Sequence, residues 1–114
     1  MASGITTHIL DIARGRPAAG VAITLYRVSD PQTVIGEATT NDDGRAPEPL
    51  IEGDAFEAGT YELRFAVGDY FKALGVPASL YDVITIRVDI DAPKEHYHIP
   101  LLLAPNGYST YRGS

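Results

Sequence analysis

The chain has 114 residues, no cysteine, a formal net charge of −6 and a pI near 4.8. That length suits a single domain, 1–114, able to bury about two-thirds of its unfolded surface. The missing cysteines exclude disulfides, zinc–thiolate sites and thiol nucleophiles, and an acidic chain with scattered Lys and Arg is a poor fit to nucleic acid or an anionic membrane.

In chain order, the N-terminal MASGITTHILDIARG lacks the basic and long apolar regions of a secretory signal, and no apolar run approaches the ~20 residues of a spanning helix. The expected compartment is therefore cytoplasmic. Ile5 to Ile12 is rich in Ile and Thr and reads as a strand, with His8 on the face of Thr6, Leu10 and Ile12. Arg14 to Gly20 is a turn region. Val21 to Val28 alternates as a second strand, and Ser29 to Gln32 turns around Asp30-Pro31. Thr33 to Thr40 is a third strand, weakened by Gly36. Asn41-Asp42-Asp43-Gly44 is a dense turn cluster with Arg45 directly after it. Ala46 to Ile51 carries Pro47 and Pro49, so any strand there is short and at an edge.

Glu52 to Gly59 reads as a loop. In Thr60 to Val67 the residues Tyr61, Leu63, Phe65 and Val67 face inward, and Glu62 and Arg64 face out. Gly68-Asp69 reads as a turn and helix N-cap leading into Tyr70 to Leu74, with the helix stopped by Gly75 and Pro77. Val83 to Ile90 is a further strand. From His96 onward Tyr97, Ile99, Leu101 and Leu103 form a wholly apolar or aromatic face, while His96, His98, Pro100 and Leu102 point the other way. Ala104-Pro105-Asn106-Gly107 is a strong turn signal, and Tyr108 to Ser114 returns as an antiparallel strand. Seven or eight short strands with one short helix predict an all-β, two-sheet antiparallel sandwich. That architecture alone fixes no function.

The residues able to carry chemistry are His8, Arg45, His96, His98 and the ending Tyr111-Arg112-Gly113-Ser114. His96 and His98 on one strand face form a bidentate pair that His8 could complete into a three-histidine zinc site. Two-residue histidine spacing is common by accident, however, and the simpler reading is of ordinary polar residues on a solvated face. Ser109 and Ser114 lie near histidines, but there is no Gly-x-Ser-x-Gly elbow and no Asp placed to orient an imidazole. Acid–base chemistry needs the fewest parts. A neutral imidazole deprotonates water, an arginine holds a developing oxyanion, and a nearby guanidinium disfavours the imidazolium.

Several stretches together resemble the transthyretin family, and within it the 5-hydroxyisourate hydrolases. They are Ile5-Thr6-Thr7-His8-Ile9-Leu10-Asp11, Gly15-Arg16-Pro17-Ala18-Ala19-Gly20-Val21, Asn41-Asp42-Asp43-Gly44-Arg45, Phe71-Lys72-Ala73-Leu74-Gly75, His96-Tyr97-His98-Ile99-Pro100-Leu101-Leu102 and Tyr108 to Ser114. The final Tyr111-Arg112-Gly113-Ser114 is the most specific, since it marks the family's hydrolases and is missing from its hormone carriers. The segment Val76 to Tyr81, VPASLY, departs from the Phe-Phe-Pro-Glu-like wording of many hydrolases.

The resemblance implies an eight-stranded sandwich assembled as a homotetramer, a dimer of dimers, with active sites in the channel between dimers. It places His8, Arg45 and His98 on catalytic positions and Tyr111, Arg112, Gly113 and Ser114 in substrate binding, with His96 flanking. The implied reaction is ring-opening hydrolysis of 5-hydroxyisourate to 2-oxo-4-hydroxy-4-carboxy-5-ureidoimidazoline in urate breakdown. No metal or other cofactor is expected, because the carbonyl is already activated by its electron-poor ring. The alternatives are a transthyretin-like carrier of a small aromatic ligand, a zinc hydrolase using His8, His96 and His98, and a purely structural sandwich.

Overall fold

The period-two alternation of apolar residues builds two sheets. In the computed structural model, which describes residues 3–29, 31–76 and 78–114, one sheet contains β1 (Gly4–Asp11), β2 (Arg16–Pro17), β5 (Ile51–Glu52), β8 (His96–Ala104) and β9 (Gly107–Thr110). The other contains β3 (Ala22–Arg27), β4 (Thr33–Thr39), β6 (Gly59–Phe65) and β7 (Ile84–Ile90). Their orders are β2-β1-β8-β9, with β5 also paired to β1, and β4-β3-β6-β7. Among the described residues every pairing is antiparallel except β1 with β8, which run parallel from Gly4↔His96 to Asp11↔Leu103. A parallel pair needs a long crossover, and here nearly the whole chain supplies it.

Ile5, Ile9, Leu101 and Leu103 from one sheet meet Ile23, Leu25, Leu63, Phe65 and Ile84 from the other, all buried. Each such side chain contributes about 1.5–3 kcal/mol by leaving water. The outer faces of the sheets are left for polar chemistry. Gly36 has a packing reason: a Cβ there would overlap the Leu50 carbonyl. Beside it the β3–β4 register shifts, with Leu25 opposite Gly36 and Tyr26 opposite Val34, the signature of a β-bulge.

Apart from a single 3-10 turn at Gly53–Ala55, the one α-helix among the described residues is α1 (Val67–Ala73), which follows β6 closely. It begins earlier than Gly68-Asp69 suggests, because Ala66 is its N-cap and no side chain caps it. Its anchor is instead Tyr70, whose hydroxyl donates to Asp11 Oδ2 at 2.8 Å. The helix ends as expected at Gly75, which has φ +75°. Gly75 N–H donates to the Lys72 carbonyl and Val76 N–H to the Phe71 carbonyl, both at 3.0 Å, a Schellman arrangement. The divergent segment that follows is tied to the C-terminal hairpin. Leu80 N–H donates to the Pro105 carbonyl at 2.8 Å, and Tyr81 meets Tyr108 edge to face at 5.2 Å. The expected turn at Asp30 and the helix stop at Pro77 lie outside the described residues.

Two further expectations are corrected. Glu62 faces outward as predicted, yet it is buried, because Arg64, Arg87 and Gln32 fold over its carboxylate. The return strand is β9 (Gly107–Thr110) rather than Tyr108 to Ser114. Its register with β8, Leu101↔Thr110, reappears only at His98↔Gly113. Between them Tyr111 falls opposite Pro100, which has no N–H to offer the ladder.

Candidate active site

The parallel register of β1 and β8 assembles the polar face. It sets Gly4 beside His96, Thr6 beside His98 and His8 beside Pro100. Alternation then turns Thr6, His8, His96 and His98 outward, all half-buried, while Ile5, Ile9, Tyr97 and Ile99 enter the core. The Thr6 hydroxyl lies 2.8 Å from His96 Nε2 and 2.9 Å from His98 Nδ1. The two rings are nearly parallel, 20° apart with centroids separated by 6.3 Å.

Arg45 reaches this face through the turn before it. Asn41 Oδ1 accepts from Asp43 N–H at 3.0 Å and Arg45 N–H at 3.2 Å, and Gly44 N–H donates to the Asn41 carbonyl at 2.9 Å. Gly44 has φ +76° and accepts Ile9 N–H at 2.7 Å. Any side chain there would strike the Ile9 carbonyl, so glycine alone permits the approach. The result is a bridge between His8 and Arg45. Arg45 forms no salt bridge among the described residues, and its guanidinium is available to an anionic guest. Thr6, Arg45, Glu48, His96, His98 and Ser114 line an open cleft of about 430 Å³.

The chain end closes one side. Gly113 N–H donates to the His98 carbonyl at 2.7 Å, and Ser114 follows into the cleft. The four signature residues part company here. Arg112 turns away, its guanidinium 4.1 Å over the Tyr97 ring, and donates to Glu95 at 3.0 Å and to the His96 carbonyl at 3.3 Å. Tyr111 and Arg112 line a different cleft, with β7 residues, Tyr97 and Ile99. Within this one chain the structure therefore brings His98, Arg45 and Ser114 together, with His8 beside Arg45 and Gly113 against His98. Arg112 fastens the segment from outside, and Tyr111 is exposed.

The electrostatics favour a neutral imidazole. Burial pushes the His98 pKa below the usual histidine range, and the charges of Arg45, His96 and His8 push it further in the same direction. Its Nδ1 is engaged by Thr6, and its Nε2 makes no hydrogen bond among the described residues. This leaves one ring nitrogen open to a guest. No group of three or more His, Asp or Glu side chains among the described residues is placed to hold a metal ion, so the three histidines do not form the cage weighed from the sequence. Thr6 is the site residue that the sequence reading missed. It shares a face with His8, but its contact with both other histidines depends on the parallel register.

The family model described as HIUase/Transthyretin family matches residues 5–113. A 5-hydroxyisourate hydrolase of Deinococcus radiodurans is 52% identical over 114 residues, covering 97% of this chain and 96% of that protein. Among solved structures, an (S)-allantoin synthase superposes with a TM-score of 0.92 at 44% identity. The match covers 99% of this chain but only 44% of that longer one. Sea bream transthyretin in complex with thyroxine superposes with a TM-score of 0.88 at 28% identity, over 96% of this chain and 93% of that one.

Proposed function

This chain belongs to the HIUase/Transthyretin family, and we infer that it is a 5-hydroxyisourate hydrolase. The observation that carries the mechanism is the half-buried His98 in an open cleft it shares with Arg45, where burial and the guanidinium push it toward its neutral form. In our reading, His98 Nε2 takes a proton from water as the water oxygen bonds to the lactam carbonyl carbon of 5-hydroxyisourate. Arg45 receives the oxyanion on its fixed fork of donors. The tetrahedral species collapses, the ring C–N bond breaks, and the proton on His98 passes to the leaving nitrogen. The product is the carboxylated ureidoimidazoline.

His8 sits against Arg45 on the same face. Gly113 and Ser114 bound the ring, while Arg112 holds that segment in place through Glu95 and the His96 carbonyl. The steps use side chains alone and route nothing through a cofactor.

We further propose a homotetramer, a dimer of dimers. Its support is the family and the position of the cleft on the outer face of a sheet, where a second copy would wall it. Light scattering on the purified protein tests this: four subunits per particle are expected, and a monomer at working concentration would overturn it.

The carrier reading has its support in the thyroxine-bound transthyretin, but that protein is 28% identical against 52% for the hydrolase. A carrier also has no use for a neutral imidazole beside an unpaired guanidinium. The experiment is an ultraviolet time course with 5-hydroxyisourate generated in place by urate oxidase. Decay well above the spontaneous rate is expected, falling by roughly a hundredfold or more in His98→Asn. Decay at the spontaneous rate by a folded protein would refute the hydrolase, and undiminished decay by His98→Asn would refute its role as the base.

A further inference from the structure

Thr6 carries one hydroxyl hydrogen, yet its oxygen is within hydrogen-bonding distance of two imidazole nitrogens, His96 Nε2 at 2.8 Å and His98 Nδ1 at 2.9 Å. The hydroxyl can donate to only one of them, so the other ring must donate to it. Two directions close the chain. In one, His98 Nδ1–H donates to Thr6 and Thr6 donates to His96 Nε2. In the other, His96 Nε2–H donates to Thr6, Thr6 donates to His98 Nδ1, and the remaining His98 proton sits on Nε2.

The two directions give His98 opposite chemistry. The first leaves Nε2 as a lone pair open to the cleft, a base. The second makes Nε2–H a donor that cannot take a proton from water. The tautomer of a functional histidine is set by the bond at its other nitrogen. We propose that Thr6 is a positioning residue: its hydroxyl accepts His98 Nδ1–H and donates to His96 Nε2, which fixes His98 as the tautomer whose Nε2 is free for base catalysis. This rests on the reading of His98 as the base. It gives His96 a part as the terminal acceptor.

The surroundings agree with that direction. The groups facing His98 are His8 and Thr6 from β1, Arg45 and Glu48 from the segment after β4, His96 on its own strand and Ser114. Arg45 is a pure donor, and a lone pair on Nε2 is the arrangement that sets donor and acceptor side by side for water and a carbonyl oxygen. Gly113 packs against Cδ2 of the ring, where an added Cβ would lie 2.6 Å away, so the imidazole is held from its carbon edge as well.

The test begins with the unmodified protein. Long-range proton–nitrogen correlation spectra of histidine labelled with nitrogen-15, at mildly alkaline pH, distinguish the two tautomers. His98 is expected as Nδ1–H; an Nε2–H signal would overturn the proposal without any variant. Thr6→Val, close in size, should release His98 to the Nε2–H form and lower kcat roughly ten- to a hundredfold with KM little changed, by analogy with the loss of outer partners of metal-ligating histidines. Thr6→Ser, which keeps the hydroxyl, should restore both. Full kcat and an unchanged tautomer in Thr6→Val would refute the role of Thr6 while leaving His98 as the base. Full activity in His98→Asn would refute the base itself, whatever Thr6 does. If Thr6→Val does not fold, the wild-type spectrum and the Thr6→Ser kinetics still decide.

Discussion

Gly113 donates its backbone N–H to the carbonyl of His98 at 2.7 Å and lies against the imidazole of the same residue. One glycine thus anchors the chain end and backs the ring assigned as the base. A Cβ at this position would fall 2.6 Å from His98 Cδ2, closer than atoms pack, and a tight 3.3 Å from Cγ. Gly113→Ala must therefore shift the ring, the strand end or both. Because Gly113 lies outside the core, the melting temperature should barely move. Turnover should fall by roughly tenfold or more, since a displacement of about 1 Å in a catalytic group can cost a hundredfold. Thermal melts and the ultraviolet assay on the same preparation check this; unchanged turnover would mean that the ring position is not critical.

The pH dependence of the rate follows from the environment of His98. Its pKa is lowered from the ordinary 6.5, by burial first and then by Arg45 and the two other histidines. A base must be neutral to act, so the acid limb of kcat/KM should have its midpoint below 6.5. Arg45→Gln removes one cause of the depression and should move that midpoint upward. It also removes the oxyanion partner and should lower the plateau by about a hundredfold. The same shift acts on stability. A folded-state pKa below the unfolded one means that the unfolded chain binds more protons in between, so His98 destabilises the fold as pH falls through that window. An acid limb at or above 6.5 in the wild type would contradict this electrostatic account.

Much of this site is legible in the residues because a strand has a period of two. His96 and His98 share a face because Tyr97, Ile99, Leu101 and Leu103 need the core. Arg45 stands out because it follows a turn that only Gly44 can close. What was hidden depends on contacts between distant strands. Alternation gives the side on which Glu62 lies but not the two arginines and one glutamine that cover it. Likewise no local pattern says that β1 runs parallel to β8, and that register alone sets Thr6 beside His98. Pro100 is an intermediate case. Proline inside a predicted strand warns of a break, and the β8–β9 ladder indeed lapses opposite it.

Glu62 provides a test of stability separate from catalysis. Its Oε2 accepts from Arg64 Nε at 2.9 Å, Arg64 Nη2 at 2.7 Å and Gln32 at 3.0 Å, and its Oε1 from Arg87 Nη2 at 3.0 Å. The Arg64 bonds, more than any other contact, hold its pKa below 4.5 in spite of burial. A depressed carboxylate stabilises the fold above its unfolded pKa, and that stabilisation is lost as pH falls through the folded value. Glu62→Gln should therefore cost about 1–2 kcal/mol at neutral pH, a modest figure because both guanidiniums reach solvent. The difference from wild type should shrink in acid. Urea unfolding at neutral and acidic pH measures it, and a difference independent of pH would show that charge is not the cause.

Gly44 links the fold to the site most directly, and Gly20 supplies the control. Both have positive φ, +76° and +81°. A Cβ at Gly20 would meet nothing within 4 Å, whereas one at Gly44 would overlap the Ile9 carbonyl and approach Pro17 Cβ to 3.1 Å. Gly20→Ala should then cost only the left-handed strain, about 1–2 kcal/mol, and leave turnover intact. Gly44→Ala adds a steric conflict with the backbone of β1, beside the bond from Ile9 N–H to the Gly44 carbonyl. Relief of that conflict must push the turn away from β1 and carry Arg45 with it. The expected outcome is a larger loss of stability than in Gly20→Ala. At a temperature where both variants are folded, only Gly44→Ala should show a deficit, and mainly in kcat, because the oxyanion partner is displaced. Equal kinetics in the two variants would mean that the position of Arg45 does not depend on this turn, and the bridge between His8 and Arg45 would lose its place in the mechanism.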